Sequence, residues 1–150
     1  MRRLSTPLAI ILLHCLAAAG GERVNVGQPM MTVAPTTEHL RQRCGVEGNY
    51  DACTRFVAYR LDAACTDEGR IAATATFRPW IILRNLHSLS HEHEHIGDVR
   101  RSVEAFLTGL ESLRFSSAEE CRARVLEERA SFGTTMRAYA LASNLERHPR

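Results

Sequence analysis

The stretch from residue 89 to residue 113 reads LSHEHEHIGDVRRSVEAFLTGLESL, and its apolar residues recur at spacings of three, four and seven. This period predicts one long amphipathic helix. Asn85 and Ser88 precede this stretch and Ser90 is its second residue, and each of the three is suited to capping the start of the helix. Glu92 lies three residues after Leu89 and four before Ile96, where the series lacks an apolar residue, so a carboxylate is expected on the buried side. The apolar members are Leu89, Ile96, Val99, Val103, Phe106, Leu110 and Leu113.

The first turns of this helix contain the pattern His-Glu-x-x-His. His91 and His95 are four residues apart, so their imidazoles project from the same side and can reach one metal ion. Glu92 falls within the same arc, roughly 100° wide, whereas His93 and Glu94 point away. The spacing predicts Zn²⁺ as cofactor, His91 and His95 as ligands, and Glu92 as the general base.

Asp98 lies one turn after His95. Metal-bound imidazoles commonly donate their second ring nitrogen to a carboxylate. Asp98 is therefore a candidate for orienting His95 or His91.

A second long helix is predicted from Ser117 to about Arg147, because Ser116-Ser117 followed by Glu119-Glu120 is typical of a helix start. Its inward series again has spacings of three and four, and Glu128 interrupts an otherwise largely apolar stripe. The series consists of Cys121, Val125, Glu128, Phe132, Met136 and Tyr139.

A catalytic zinc usually has three protein ligands, so a third must come from outside the motif. We rank Glu128 first, because a carboxylate on a buried stripe requires a partner. A simple antiparallel hairpin, however, places residues 135–141 opposite the motif and leaves Glu128 too far down; pairing with Arg122 or Arg124 is an equally weighted interpretation. The other candidates are His87 and, if the last turn folds back, Glu146 and His148.

Two segments before the motif, 54–61 and 70–77, alternate in polarity and predict strands. The loop 62–69 contains Asp67-Glu68-Gly69, which favours an antiparallel hairpin, and Pro79 is expected to end the second strand. The predicted fold class is α+β, with a short antiparallel sheet packed on two long helices and stapled by disulfides.

The N-terminus has the pattern of a secretory signal peptide over residues 1–20. Arg2-Arg3 precede an apolar run from Pro7 to Ala19, which ends in small residues. Residues 21–43 are expected to form an irregular lead-in with room for one edge strand, and residues 44–150 are expected to form a single domain. We expect a secreted or periplasmic protein with no stable membrane span after signal removal, because no later segment is long enough.

Removal of the signal leaves Cys44, Cys53, Cys65 and Cys121. An even number of cysteines in an exported chain predicts two disulfides. We favour Cys44 with Cys53 or Cys65, and Cys121 with the remaining one, which would tie the late helix to the early strands.

The 150 residues are 45% hydrophobic and 24% charged, as in an ordinary globular domain. A formal charge of +2 with well-mixed signs argues against a nucleic-acid partner or a polybasic membrane surface. The expected partner is a peptide or protein substrate, because hydrolysis of a peptide bond is the natural reaction of a zinc-activated water with Glu92 as its base.

The order of these features resembles the zincin-type metallopeptidases. A strand region is followed by LSHEHEHIGD (89–98), a long helix, a cysteine and a second helix with Tyr139 near its end. Within that class the chain is similar to a bacterial family of small predicted secreted zinc-dependent proteases, over roughly residues 44–139. The resemblance implies a zincin fold and zinc-dependent hydrolysis of peptide bonds.

Two alternatives from other classes remain open. In the first, His91, His93 and His95 capture zinc, nickel or copper at the surface without catalysis. In the second, the chain is an inactive structural domain stapled by its disulfides.

Overall fold

The sheet is built around a long hairpin. In the computed structural model, which describes residues 22–45 and 51–148, strand β3 (Ala52–Cys65) pairs antiparallel with strand β4 (Ile71–Leu83). Alternate residues of β4, from Ile71 to Phe77, face the core. Gly69 closes the turn at φ 67°, a left-handed conformation that glycine adopts without strain. The predicted hairpin is confirmed, with longer strands than expected.

The expectation that Pro79 ends the second strand is wrong, since β4 continues to Leu83. On the edge away from β3, β4 pairs through residues 75–77 and then through residues 80–83. Pro79 falls between these two pairings, so its missing N–H removes no hydrogen bond on that edge. Opposite Pro79 stands Phe56, beside a bulge in β3 where Ala58 has a φ of 51°.

The lead-in is more regular than predicted. Strands β1 (Val24–Val26) and β2 (Met30–Val33) pair parallel with β4. Helix α1 (Thr37–Cys44) follows, with Thr36 accepting a hydrogen bond from the His39 N–H. The four-stranded sheet is therefore mixed, and the prediction of a wholly antiparallel sheet is corrected. Strands this short depend on β4, which lies about fifty residues later in the chain.

Two long helices cover one face of the sheet. Helix α2 (Leu89–Ser112) carries the motif, as predicted, and follows a 3-10 turn at Leu86–Ser88. Helix α3 (Ala118–Arg147) is capped by Ser117, whose side chain accepts a hydrogen bond from the Glu120 N–H. The main core joins both helices to the hairpin, and α1 covers the opposite face. The buried apolar residues of α2 and α3 are Ile96, Val99, Val103, Leu107, Leu110, Cys121, Val125, Phe132 and Met136.

The disulfides are Cys44–Cys53 and Cys65–Cys121. The favoured pairing is confirmed. One bridge ties α1 to the start of β3, and the other ties the end of β3 to the first turn of α3. Disulfides of this kind are typical of proteins that fold in an oxidising compartment.

The predicted signal peptide, residues 1–20, lies outside the described residues. Within residues 22–45 and 51–148, no helix combines the length and the apolar character that crossing a bilayer requires.

The two disulfides should contribute unequally to stability. They close loops of sequence separation 56 and 9, so chain entropy predicts a loss of about 4 kcal/mol for Cys65→Ala/Cys121→Ala and about 3 kcal/mol for Cys44→Ala/Cys53→Ala. Urea denaturation of the two double variants measures the difference. A larger loss from the shorter loop would contradict this ranking.

Candidate metal centre

Helix α2 presents its motif to the protein interior with the predicted orientation. Glu92 and His95 are 3% and 4% exposed, His91 is half-buried, and His93 and Glu94 are exposed. His91, Glu92 and His95 lie on the same face of α2 as the buried residues Ile96 and Val99. The apolar stripe thus fixes which side of the motif is buried.

A third imidazole meets this pair. His148, directly after α3, lies with its Nε2 3.1 Å from the Nε2 of His91. One ligand atom from each of His91, His95 and His148 falls within 4.8 Å of the other two. Around a tetrahedral zinc with bonds of about 2.0–2.1 Å, neighbouring nitrogens are roughly 3.4 Å apart, close to the His91–His148 separation. Three imidazoles are a donor set that suits zinc, copper, nickel or iron.

Glu128, ranked first as third ligand from the sequence, is not brought to this group. It is buried, and its carboxylate pairs with Arg124 at 2.5 Å, which is the alternative interpretation. Twenty residues separate it from His148, about 30 Å along a helix. Of the lower-ranked candidates His148 joins the group, whereas Glu146 and His87 do not; all three side chains are exposed.

His148 reaches the motif because α3 is displaced along α2. If α2 and α3 formed a tight hairpin centred near residue 115, residue 139 would lie opposite His91. His148 would then lie nine residues, or about 14 Å, further along the helix. Segment 113–117 has extended backbone at Leu113 and Ser117. The segment therefore connects the helices without a tight turn, and α3 remains helical to Arg147, so the displacement needs no folding back of the last turn.

Arg147 clamps the end of α3 to α2. Its guanidinium donates to both carboxylate oxygens of Asp98, at 2.5 and 2.9 Å, and also to Glu94. Arg147 is the last residue of α3 and directly precedes His148. The clamp therefore sets the position of the third imidazole. Its sequence signal was weak, because charged residues near helix ends are common.

A hydrogen-bonded chain orients His95. Its Nδ1 lies 2.8 Å from the Ser143 hydroxyl, which donates to Asp98 at 2.9 Å. A neutral His95 that donates from Nδ1 keeps Nε2 unprotonated for a metal. Asp98 thus acts on His95 through Ser143. Sequence reasoning missed Ser143, although it lies seven residues after Met136 and so continues the inward stripe of α3.

The electrostatics favour the neutral forms of His95 and His148. Burial is the main reason that the pKa of His95 falls from 6.5 to about 4, and the neighbouring rings of His91 and His148 contribute to the same shift. Burial and His91 also lower the pKa of His148. Neutral imidazole is the form that binds metals, so His95 and His148 are ready to bind a cation at neutral pH.

Glu92 lies where it can act on a molecule beside the histidines. Its Oε2 accepts a hydrogen bond of 2.7 Å from Thr54 of β3. Burial raises its pKa, although Thr54 and His91 act in the opposite direction. Glu92, His95 and His148 line one cleft of ≈ 240 Å³. The cleft also has an apolar wall, formed by Leu141, Leu145 and the Cys44–Cys53 disulfide.

No family model, curated protein or solved structure matches the chain.

The Asp98 carboxylate should make stability dependent on pH. The hydrogen bond from Arg147 is the main reason that its pKa falls from 3.8 to about 2. A pKa lowered by folding stabilises the protein above about pH 4, and the effect is lost as the pH falls towards 2. We expect Asp98→Asn to cost about 2 kcal/mol at pH 7 and to flatten the pH dependence of the free energy of unfolding between pH 4 and 2.

Asp62→Asn is the matched control. Asp62 pairs with Arg60 at 2.7 Å, but its side chain is 46% exposed, so the loss should be well below about 1 kcal/mol. Urea titrations at several pH values compare the two variants. Equal losses would argue against a special role for the Asp98 carboxylate.

Proposed function

We propose that this protein is a secreted zinc-dependent hydrolase of the zincin type, most simply a metallopeptidase. The observation that carries the proposal is the arrival of His148 beside His91 and His95. Two histidines of a helix do not make a catalytic site, whereas three protein ligands leave a fourth position for water. Secretion is supported by the two disulfides and the predicted signal sequence.

Bound there, zinc would supply a Lewis acid that lowers the pKa of water and polarises a carbonyl group. Glu92 has the role of proton acceptor for the attacking water, because its carboxylate lines the cleft that His95 and His148 also line. Thr54 holds one Glu92 oxygen at 2.7 Å and thereby limits rotation of the carboxylate. Ser143 and Asp98 keep His95 in the tautomer that leaves Nε2 free of a proton.

The geometry favours this proposal over a surface metal carrier built from His91, His93 and His95. His93 is exposed and lies outside the group of three. A non-catalytic metal-binding protein that uses His148 has the same donors, so only the role of Glu92 separates it from a hydrolase.

The first test is metal binding. We expect one zinc per chain, and we expect His91→Ala, His95→Ala and His148→Ala each to weaken binding more than the roughly 10–100-fold that loss of a ligand's hydrogen-bonding partner costs. Competition with a chromophoric chelator measures the affinity, and circular dichroism checks folding. His93→Ala is the control on the same helix and should bind zinc normally. Unchanged affinity in His148→Ala would exclude the proposed site.

The second test separates catalysis from storage. Glu92→Gln should retain zinc and lose about a hundred-fold to ten-thousand-fold in kcat for hydrolysis of a quenched fluorescent peptide mixture, because a general base contributes about that much. Glu104→Gln, about three turns further along α2 and outside the cleft, provides the matched control for loss of a carboxylate. A zinc-loaded protein that cleaves no peptide, with or without Glu92, would be assigned to metal binding alone.

A further inference from the structure

The cleft at the metal centre continues as a groove along β3 and α3. Beyond the cleft of ≈ 240 Å³ lies a second cavity of ≈ 180 Å³, which shares Thr54 and Arg55 with it. A third of ≈ 520 Å³ shares Tyr59 with the second. The three cavities are therefore neighbours in one row, and the metal centre stands at one end of that row.

One stripe of α3 forms a wall along the whole row. The helix positions that line the cavities recur at spacings of three and four, which is the period of a single helix face. On the other side, consecutive residues of β3 line the groove, so it follows the edge of the strand and not one of its faces. The stripe on α3 consists of Arg129, Gly133, Arg137, Ala140, Asn144 and His148.

The groove carries unbalanced positive charge. Arg55, Arg129 and Arg137 line it, and within the described part of the chain none of the three forms an ion pair with a carboxylate. Each of them donates instead to neutral oxygens. Arg55 donates to the Arg43 carbonyl and Arg129 to the Ala63 carbonyl. Arg137 donates to the hydroxyl groups of Tyr59 and Thr134. Of the two acidic residues that line the row, Asp62 is already paired with Arg60, and Glu92 lies at the metal-centre end, where it accepts a hydrogen bond from Thr54. The cationic groups are thus held in place and left without a neutralising anion.

We propose that this groove binds an extended acidic polypeptide and feeds it to the metal centre. The inference rests on the proposed hydrolase function, and it adds the class of substrate. Arg137 and Arg129 lie 11 and 19 residues from His148, about 16 and 28 Å along the helix. An extended peptide advances about 3.3 Å per residue, so its acidic side chains belong about five and about nine residues from the bond that is cleaved.

A polypeptide is favoured over a nucleic acid by the rest of the groove. The wall beside the metal centre is apolar, with Leu141 and Leu145 60% and 54% exposed. Of the aromatic rings in the groove, Tyr59 packs against Gly133, where an added Cβ would be 2.9 Å from the ring. A ring held in that way is poorly placed to stack on successive bases.

Fluorescence polarisation with the Glu92→Gln variant tests the proposal without turnover. The probes are labelled 14-residue peptides of glycine and serine, with glutamates in either half, and lysine versions of the same peptides. We expect at least one glutamate peptide to bind about tenfold more tightly than its lysine version, and Arg137→Glu or Arg129→Glu to weaken it about tenfold. Arg122→Glu makes the same charge change on an exposed part of α3 outside the groove and should have less than about a twofold effect.

Three results would overturn the proposal: equal binding of the glutamate and lysine peptides, an equal effect of Arg122→Glu and Arg137→Glu, or displacement of the peptide by oligothymidylate at lower concentrations than by unlabelled glutamate peptide.

The outcome is independent of the metal, since protein treated with a chelator should retain peptide binding. Peptide binding without hydrolysis would contradict the proposed function alone. Hydrolysis without preference for acidic peptides would contradict the groove alone.

Discussion

The arrangement of the candidate site depends on the clamp between Arg147 and the carboxylates of Glu94 and Asp98. Helix ends tend to fray, and residues 144–146 of α3 are exposed, so little packing holds the last turn in place. Arg147 supplies that constraint with several charge-assisted hydrogen bonds, which are stronger than neutral ones. Asp98 also accepts from Ser143, so one carboxylate both positions His148 and orients His95.

The far end of α3 is held by a different kind of bond. The Cys65–Cys121 disulfide fixes its first turn to the hairpin, while Arg147 fixes its last turn to α2. A helix of 30 residues is about 45 Å long, and attachment at both ends keeps it parallel to the edge of β3. The groove between them follows from this arrangement, with the metal centre at the clamped end.

The candidate site also costs stability. Glu92 and His95 are buried in positions where apolar residues would continue the core, and a buried polar group is unfavourable unless it has a partner. Thr54 and Ser143 provide these partners. Polar residues at positions that would be more stable with apolar ones are common at functional sites, where hydrogen bonds from neighbouring elements offset the cost.

Local patterns in the chain were sufficient for α2, α3 and the β3–β4 hairpin, because each depends on periodicity and on capping or turn residues within its own segment. The same reasoning placed His91, Glu92 and His95 on one buried arc, since neighbours on a helix determine that direction. The parallel pairing of β1 and β2 and the course of β4 through Pro79 were decided only by tertiary structure, because the pairing partners are distant in sequence. Tertiary structure also decided that His148, and not Glu128, joins the two histidines of the motif, because the displacement of α3 depends on its connection to α2 and on a clamp that no periodic pattern encodes.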